Sequence, residues 1–351
     1  MKIVMLLVAR DDADVVDAQI AFHLSLGVEY VFATDHASTD GTADVLESYR
    51  RDGVLRRVTE SGEPRDSSWR AAMAELAIDE GADWILDAEV DEFWMPRAEN
   101  FREVLAAMPK RYGIVQGLVR VFPPRPTGEE LFADRMVLRG LLSDLRSDES
   151  EGRLDWALRP LFRASDDMVI LGDREAVLDG RVPLRAWYPV EVLRFPIRSP
   201  EQAERKARGR SGPVAPRSRT ERLLHESGPS ETATGVVWPQ LVVSDAAAEQ
   251  GLANGSLVLD ERLRDALGRL PRSTSPTDAG AARFAVLSDG LALPSPSVVD
   301  DVAYAGECAA VHEVDFEPLQ TRLAELERRI GLLETGRWLR LRRRLARVVR
   351  R

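Results

Sequence analysis

Three times between Lys2 and Leu86 an apolar run of strand length gives way to a helix-like stretch that ends at a glycine. "KIVMLLVA" leads into "DDADVVDAQIAFHLSLG", with Val16, Ile20, His23 and Leu24 at helical spacing before Gly27. "VEYVFATD" leads into "STDGTADVLESYRRDG", which offers cap residues at Ser38, Thr39 and Asp40 and stops at Gly53. The more polar "VLRRVTE" leads into "SSWRAAMAELAIDEG", stopping at Gly81, and "ADWIL" supplies a fourth strand. Strands joined by single helices run parallel with right-handed crossovers, and such sheets bind ligands outside the carboxyl ends of their strands. An α/β fold with a mostly parallel, Rossmann-like sheet flanked by helices is therefore expected.

Polar clusters fall at those strand ends. Arg10, Asp11 and Asp12 follow the first strand, and Asp35 ends the second. The fourth runs into "ILDAEVDEFWMP", which packs Asp87, Glu89, Asp91 and Glu92 into six positions. Acids so crowded repel one another unless a cation or donor compensates. A divalent cation, Mn²⁺ or Mg²⁺, bridging two phosphates would do so, since these ions take one or two carboxylates plus substrate oxygens. Other metal chemistry is excluded by composition. Cys308 is alone, and four histidines (His23, His36, His225, His312) offer no Cys/His zinc cluster.

The segment from Val8 to Leu46 resembles the start of a family 2 glycosyltransferase of the GT-A fold, in "VARDDADVV" and in "DHASTDGT". "WILDAEVDEFWMP" is similar to the Asp-x-Asp-Glu-Phe stretch of a bacterial subfamily. The resemblance implies a sugar-nucleotide donor whose diphosphate and metal meet Glu89 and Asp91, with Val90 turned into the sheet. Alternation along a strand puts Glu89, Asp91 and Phe93 on one face, Asp87 deeper on the same face as a supporting acceptor, and Glu92 on the other. Arg10, Asp12, Asp35 and Arg70 are further donor-binding candidates. "RPLFRA", "LGDREAV", "VEVLRFPIRSPEQAERKARG" and the helical stretch Leu241–Leu270 look like acceptor-side segments, so the likeness covers roughly residues 1–270.

That resemblance implies an inverting, hexosyltransferase-type reaction in bacterial surface polysaccharide synthesis, with a glycan or lipid-linked acceptor. A carboxylate must then deprotonate the acceptor hydroxyl, and Asp173 is the first candidate and Glu175 the second. The family pattern has histidine where this chain has Arg174 and Arg194, and aspartate where it has Glu89. An imidazole can ligate a metal; a guanidinium cannot, but it can neutralise a diphosphate bidentately. Both arginines therefore join the donor-binding candidates. The departures also favour an alternative, a non-catalytic glycosyltransferase-like protein that binds a sugar nucleotide or glycan. A nucleotidyltransferase is disfavoured, because no glycine-rich, lysine-containing loop follows the first strand. His36 and His225 read better as structural or loop residues than as ligands, and Trp94 reads equally as a sugar-stacking or a core residue.

The chain divides into a nucleotide-sugar-binding catalytic domain (1–210), a mainly helical acceptor-side region (211–271), a linker (272–317) and a helical C-terminal extension (318–351). Proline, serine, threonine and glycine concentrate in the linker between Arg272 and Pro296. In the extension, Leu319, Leu323, Leu326, Ile330 and Leu333 keep heptad spacing, a possible coiled-coil route to a homo-oligomer. Residues 337–351 carry eight arginines and no acid, so the net charge of −10 leaves −18 on the rest. A nucleic-acid footprint on the body is disfavoured. The basic tail, with Trp338, Leu341, Leu345 and Val348 on one side, fits an anionic membrane surface or the acidic body itself. With no long apolar run and no signal pattern at its start, the chain is expected in the cytoplasm, with the tail as its contact to the inner membrane face. Only three of its 48 basic residues are lysines.

Overall fold

The computed structural model describes residues 1–58, 66–128, 130–140, 158–165, 169–170, 176–177, 182–209, 238–270 and 290–312. The heptads, the basic tail and His225 lie outside them.

Strands β1 (Ile3–Ala9), β2 (Tyr30–Asp35), β3 (Leu55–Arg57) and β4 (Trp84–Glu89) are parallel, connected through α1 (Val16–Ser25), α2 (Thr42–Arg51) and α3 (Asp66–Asp79). The unbroken apolar run of β1 is explained by its two covered faces. Val4 and Leu6 pack with Met73, Ala74 and Ala77 of α3. Ile3, Met5 and Leu7 belong to the larger core that holds Ile20 of α1 and Leu46 of α2. Each helix ends where expected, Gly27, Gly53 and Gly81 having φ of 98°, 77° and 78°, a region that favours glycine.

Beyond β4 the chain leaves the simple alternation. It turns at Val90 and Asp91 into β5 (Glu92–Pro96), followed by α4 (Phe101–Ala106), β6 (Tyr112–Val121), α5 (Phe132–Arg135), β7 (Leu138–Gly140) and β8 (Leu158–Arg163). Short strands β9 (Val169–Ile170), β10 (Ala176–Val177) and β11 (Val182–Pro183) precede β12 (Val190–Arg194) and α6 (Pro200–Gly209), and β13 (Leu257–Leu259) lies between helices Asp245–Asn254 and Arg262–Gly268. The main sheet runs β3-β2-β1-β4-β8-β6-β12-β5, with β11 beside β6. Strand β8 is antiparallel to both β4 and β6, and β5 is antiparallel to β12; the remaining pairs are parallel. A further helix, residues 298–312, falls within the stretch read as linker. It packs Tyr304, Cys308 and Val311 against Leu118 and Tyr188. No helix among the described residues is long and apolar enough to cross a membrane.

The turn at Val90 overturns the expectation that Glu89, Asp91 and Phe93 share a face, because alternation holds only along an unbroken strand. Phe93 instead meets Phe22, Phe132 and Phe195 in the core, and Trp94 is fully buried, a core residue. The backbone N–H of Trp94 donates to Nε2 of His23 at 3.0 Å, so β5 is tied to α1. Nε2 is then the acceptor and Nδ1 the protonated nitrogen, donating to the Gln19 carbonyl at 2.7 Å. Burial lowers the His23 pKa from 6.5 to about 4, against the opposing effects of that carbonyl and of Glu92.

A folded-state pKa below the unfolded one means that the unfolded chain binds the extra proton. The contribution of His23 is complete above pH 6.5 and is lost as pH falls toward 4, amounting to about 3 kcal/mol. In urea titrations across that range, His23→Gln, whose amide can serve both partners, is expected to flatten the decline by up to one proton; an unchanged slope would show that His23 is not the titrating group.

Candidate functional site

The chain runs from β1 outward through β2 to β3, then returns through α3 to place β4 on the other side of β1. The carboxyl ends of β1 and β4 therefore flank a topological switch point, where open α/β sheets hold their ligands.

On the β1 and β2 side, two loops clamp one another. The Asp11 amide donates to Ser38 Oγ at 3.0 Å, and Asp11 Oδ1 accepts from the Thr39 amide at 2.7 Å. The Asp12 amide donates to Thr42 Oγ1 at 2.8 Å, and Asp40 accepts from the Ala13 amide at 3.0 Å. These bonds hold Asp11 and Ala37 at φ of 51° and 52°, a region unfavourable for residues with a Cβ. Asp35 accepts from the Ser38 amide at 3.2 Å and faces Arg57 at 3.5 Å. The Arg10 side chain is 60% exposed.

On the β4 side, each crowded acid meets a guanidinium. Buried Arg70 of α3 donates to Asp87, and at 3.2 Å to Glu89. Glu92 accepts from Arg159 of β8 at 2.7 Å and from the Glu89 amide at 3.2 Å. Arg194 Nε of β12 lies 3.6 Å from Asp91 and 4.0 Å from Glu92. Arg198, four residues beyond the end of β12, reaches the β1 side, donating to Asp12 at 3.0 Å and to Asp14 at 2.7 and 2.9 Å. Burial opposes the charge of Arg198, but hydrogen bonding to Asp14 and the charges of Asp14, Asp12 and Asp91 outweigh it and raise its pKa.

The fold thus brings Arg10, Asp12, Asp35, Glu89, Asp91 and Arg194 to one end of the sheet. Asp87 and Glu92 support the others as expected. Arg70, a donor-binding candidate from the sequence, lies in the interior, where buried Asp87 requires a counter-charge. Asp173, Arg174 and Glu175 lie outside the described residues. His36 packs its ring edge-on against Trp69 at 5.0 Å. Sequence reading missed Arg159 and Arg198 as site residues. The signals were a charged residue inside the strand-length "RPLFRA" and another held between Pro196 and Pro200.

No protein-family model matches the chain, and no curated protein does. Among solved structures it is similar to S. aureus TarS 1-349, at 16% identity over 47% of each chain with a TM-score of 0.30. The same S. aureus protein in complex with UDP matches at 14% identity over 58% of this chain and 64% of that one, TM-score 0.32. The mannosyltransferase PcManGT from Pyrobaculum calidifontis, in complex with GDP-Man and Mn2+, matches at 15% identity over 82% and 84%, TM-score 0.33. The match spans about half the length of the first of these, 47%.

Removing one partner of a buried ion pair leaves an uncompensated charge, costing about 3–5 kcal/mol. Arg70→Met is expected to lose that much in urea unfolding, and Arg70→Met/Asp87→Leu to recover part of it because the stranded carboxylate is gone. A loss below about 1 kcal/mol for Arg70→Met would remove the pair from its structural role.

Proposed function

We propose that the chain is a glycosyltransferase, moving a sugar from a nucleotide-sugar donor to a glycan or lipid-linked acceptor in bacterial surface polysaccharide synthesis. The observation that carries this reading is the position of Glu89 and Asp91, the acids of the glycosyltransferase-like motif, at the switch-point end of β4. Arg10, Asp12 and Asp35 stand at the adjoining ends of β1 and β2, where a nucleotide can lie along the strained loops.

The chemistry requires that the leaving diphosphate be stabilised while a base takes the acceptor proton. At 34% exposure Glu89 is the most accessible of the motif acids, and its carboxylate, steadied by Arg70, can accept hydrogen bonds from donor hydroxyls. Asp91 is nearly buried and lies 3.6 Å from Arg194 Nε. By the family resemblance, Asp173 is the base of an inverting transfer and Glu175 the second candidate. A divalent cation held by Glu89 and Asp91 together with the diphosphate oxygens would share each carboxylate with a guanidinium, Arg70 at 3.2 Å and Arg194 at 3.6 Å. The second reading, a non-catalytic sugar-nucleotide or glycan binder, is favoured by the arginines at positions 174 and 194.

Turnover of a panel of nucleotide sugars with glycan acceptors separates the two readings. Transfer is expected for the parent and a fall of roughly a hundredfold or more for Glu89→Gln and Asp91→Asn, with folding retained. Transfer at the parental rate by both variants would take these acids out of the mechanism, and binding without transfer would favour the second reading.

A further inference from the structure

We infer that the outer face of helix 298–312 is an interface with a second copy of this chain, the two copies pairing in parallel as a two-stranded coil. The helix is fixed to the body by one side. Tyr304, Cys308 and Val311 pack against Leu118 and Tyr188, and Asp301 and Glu307 pair with Arg97 and Arg120. The side turned to solvent is apolar. Val298, Val299 and Val302, at 79%, 78% and 68%, are the most exposed large apolar side chains among the described residues, and Ala305 and Ala309 continue the exposed face. Apolar residues gathered on one exposed face mark a surface that another surface covers.

Val298, Val302, Ala305 and Ala309 follow 4-3-4 spacing, that of a heptad seam. The sequence keeps this alternation unbroken through His312 and Phe316 into the heptads of 319–333. From 298 to 333 that makes 36 residues in one register, about five heptads, where about three to four argue a coiled coil. Pro318 takes an outer position of the register and no place in the seam. The register also selects the occupant. Leu319, Leu326 and Leu333 fall at d, with Val302 and Ile330 at a, the combination that favours two strands. Arg322 and Arg329 fall at g, and Glu327 and Glu334 at the e positions five residues further on. A parallel second copy therefore meets each of these arginines with a glutamate, whereas an antiparallel one meets arginine with arginine. Such self-complementarity is what a two-fold homodimer requires.

The test is sedimentation equilibrium of the full chain across the micromolar range. A dimer is expected. Val302→Asp is expected to weaken it by about tenfold or more, because each aspartate is buried opposite its copy. A second measurement reports the alignment. Under mild oxidation Val302→Cys is expected to link to its copy, since a parallel coil sets like seam residues side by side, and Ala303→Cys, one position outside the seam, is expected not to. A monomer throughout, a trimer, a dimer of equal affinity in Val302→Asp, or equal linking of the two cysteine variants would overturn the inference. The cysteine variants place a small, uncharged side chain at exposed positions, so a Val302→Asp chain that fails to fold leaves the linking result decisive.

Discussion

Asp87 and Glu92 are carboxylates in the protein interior, and neither could stay ionised there without a partner. Asp87 is answered by Arg70 from α3, and Glu92 by Arg159 from β8. The elements that supply these guanidiniums are therefore fixed against β4 and β5 by charge as well as by packing. Strand β8 is the clearest case. It enters antiparallel between β4 and β6, and Arg159 at its second position reaches Glu92 across the sheet. The compensation is one-sided at Asp87, whose buried Oδ2 accepts no hydrogen bond among the described residues. The pair specifies geometry more than it adds net stability, since desolvation consumes most of the attraction.

The same device recurs beneath the distal strands. Buried Glu191 of β12 accepts from Arg97 at 2.9 Å, Arg120 at 2.8 Å and Arg262 at 2.7 Å. Burial alone would raise the Glu191 pKa, but the charges of Arg262 and Arg120 overcome it and hold the carboxyl far below its usual range. Arg97 continues to Asp301 at 2.8 Å and Arg120 to Glu307, both on helix 298–312, while Arg262 opens helix Arg262–Gly268. One acid thus docks two C-terminal segments on the sheet. The Tyr304 ring, 3.8 Å below the Arg97 guanidinium, covers the network from the helix side.

The part of the fold that was legible in the sequence is the part governed by local rules. The β1–α1–β2–α2–β3–α3–β4 succession follows from apolar runs, caps and glycine stops, each signal lying within a few residues of the element it sets. The order of β8, β6, β12 and β5 depends on pairings between residues far apart in the chain, such as Leu161 with Leu86 and Arg194 with Glu92. No periodicity carries that information. For the site, the strand-end positions of Arg10, Asp12, Asp35, Glu89 and Asp91 followed from the parallel topology. The inward turn of Phe93 and the burial of Arg70 did not. A two-residue turn leaves the residue types of a strand unchanged, and a helical arginine shows its burial only when the acid it serves is known. Helix 298–312 was obscured by the proline and serine content just before it.

The preponderance of arginine, at first sight a compositional bias, has a structural consequence. Among the described residues the buried side chains of permanent positive charge, Arg70, Arg120, Arg159 and Arg198, are all arginines. A lysine in these places could escape the cost of burial by losing its proton, and would then leave its carboxylate uncompensated. A guanidinium keeps its charge at any pH at which the protein is folded, and its planar fork can serve two acceptors at once. Arg198 does so between Asp12 and Asp14, and Arg70 between Asp87 and Glu89. Asp12 and Glu89 at the switch point are consequently held in place before any ligand arrives. Preorganisation of that kind is what stabilising a departing anion requires, because groups already in place need not be reorganised during the reaction.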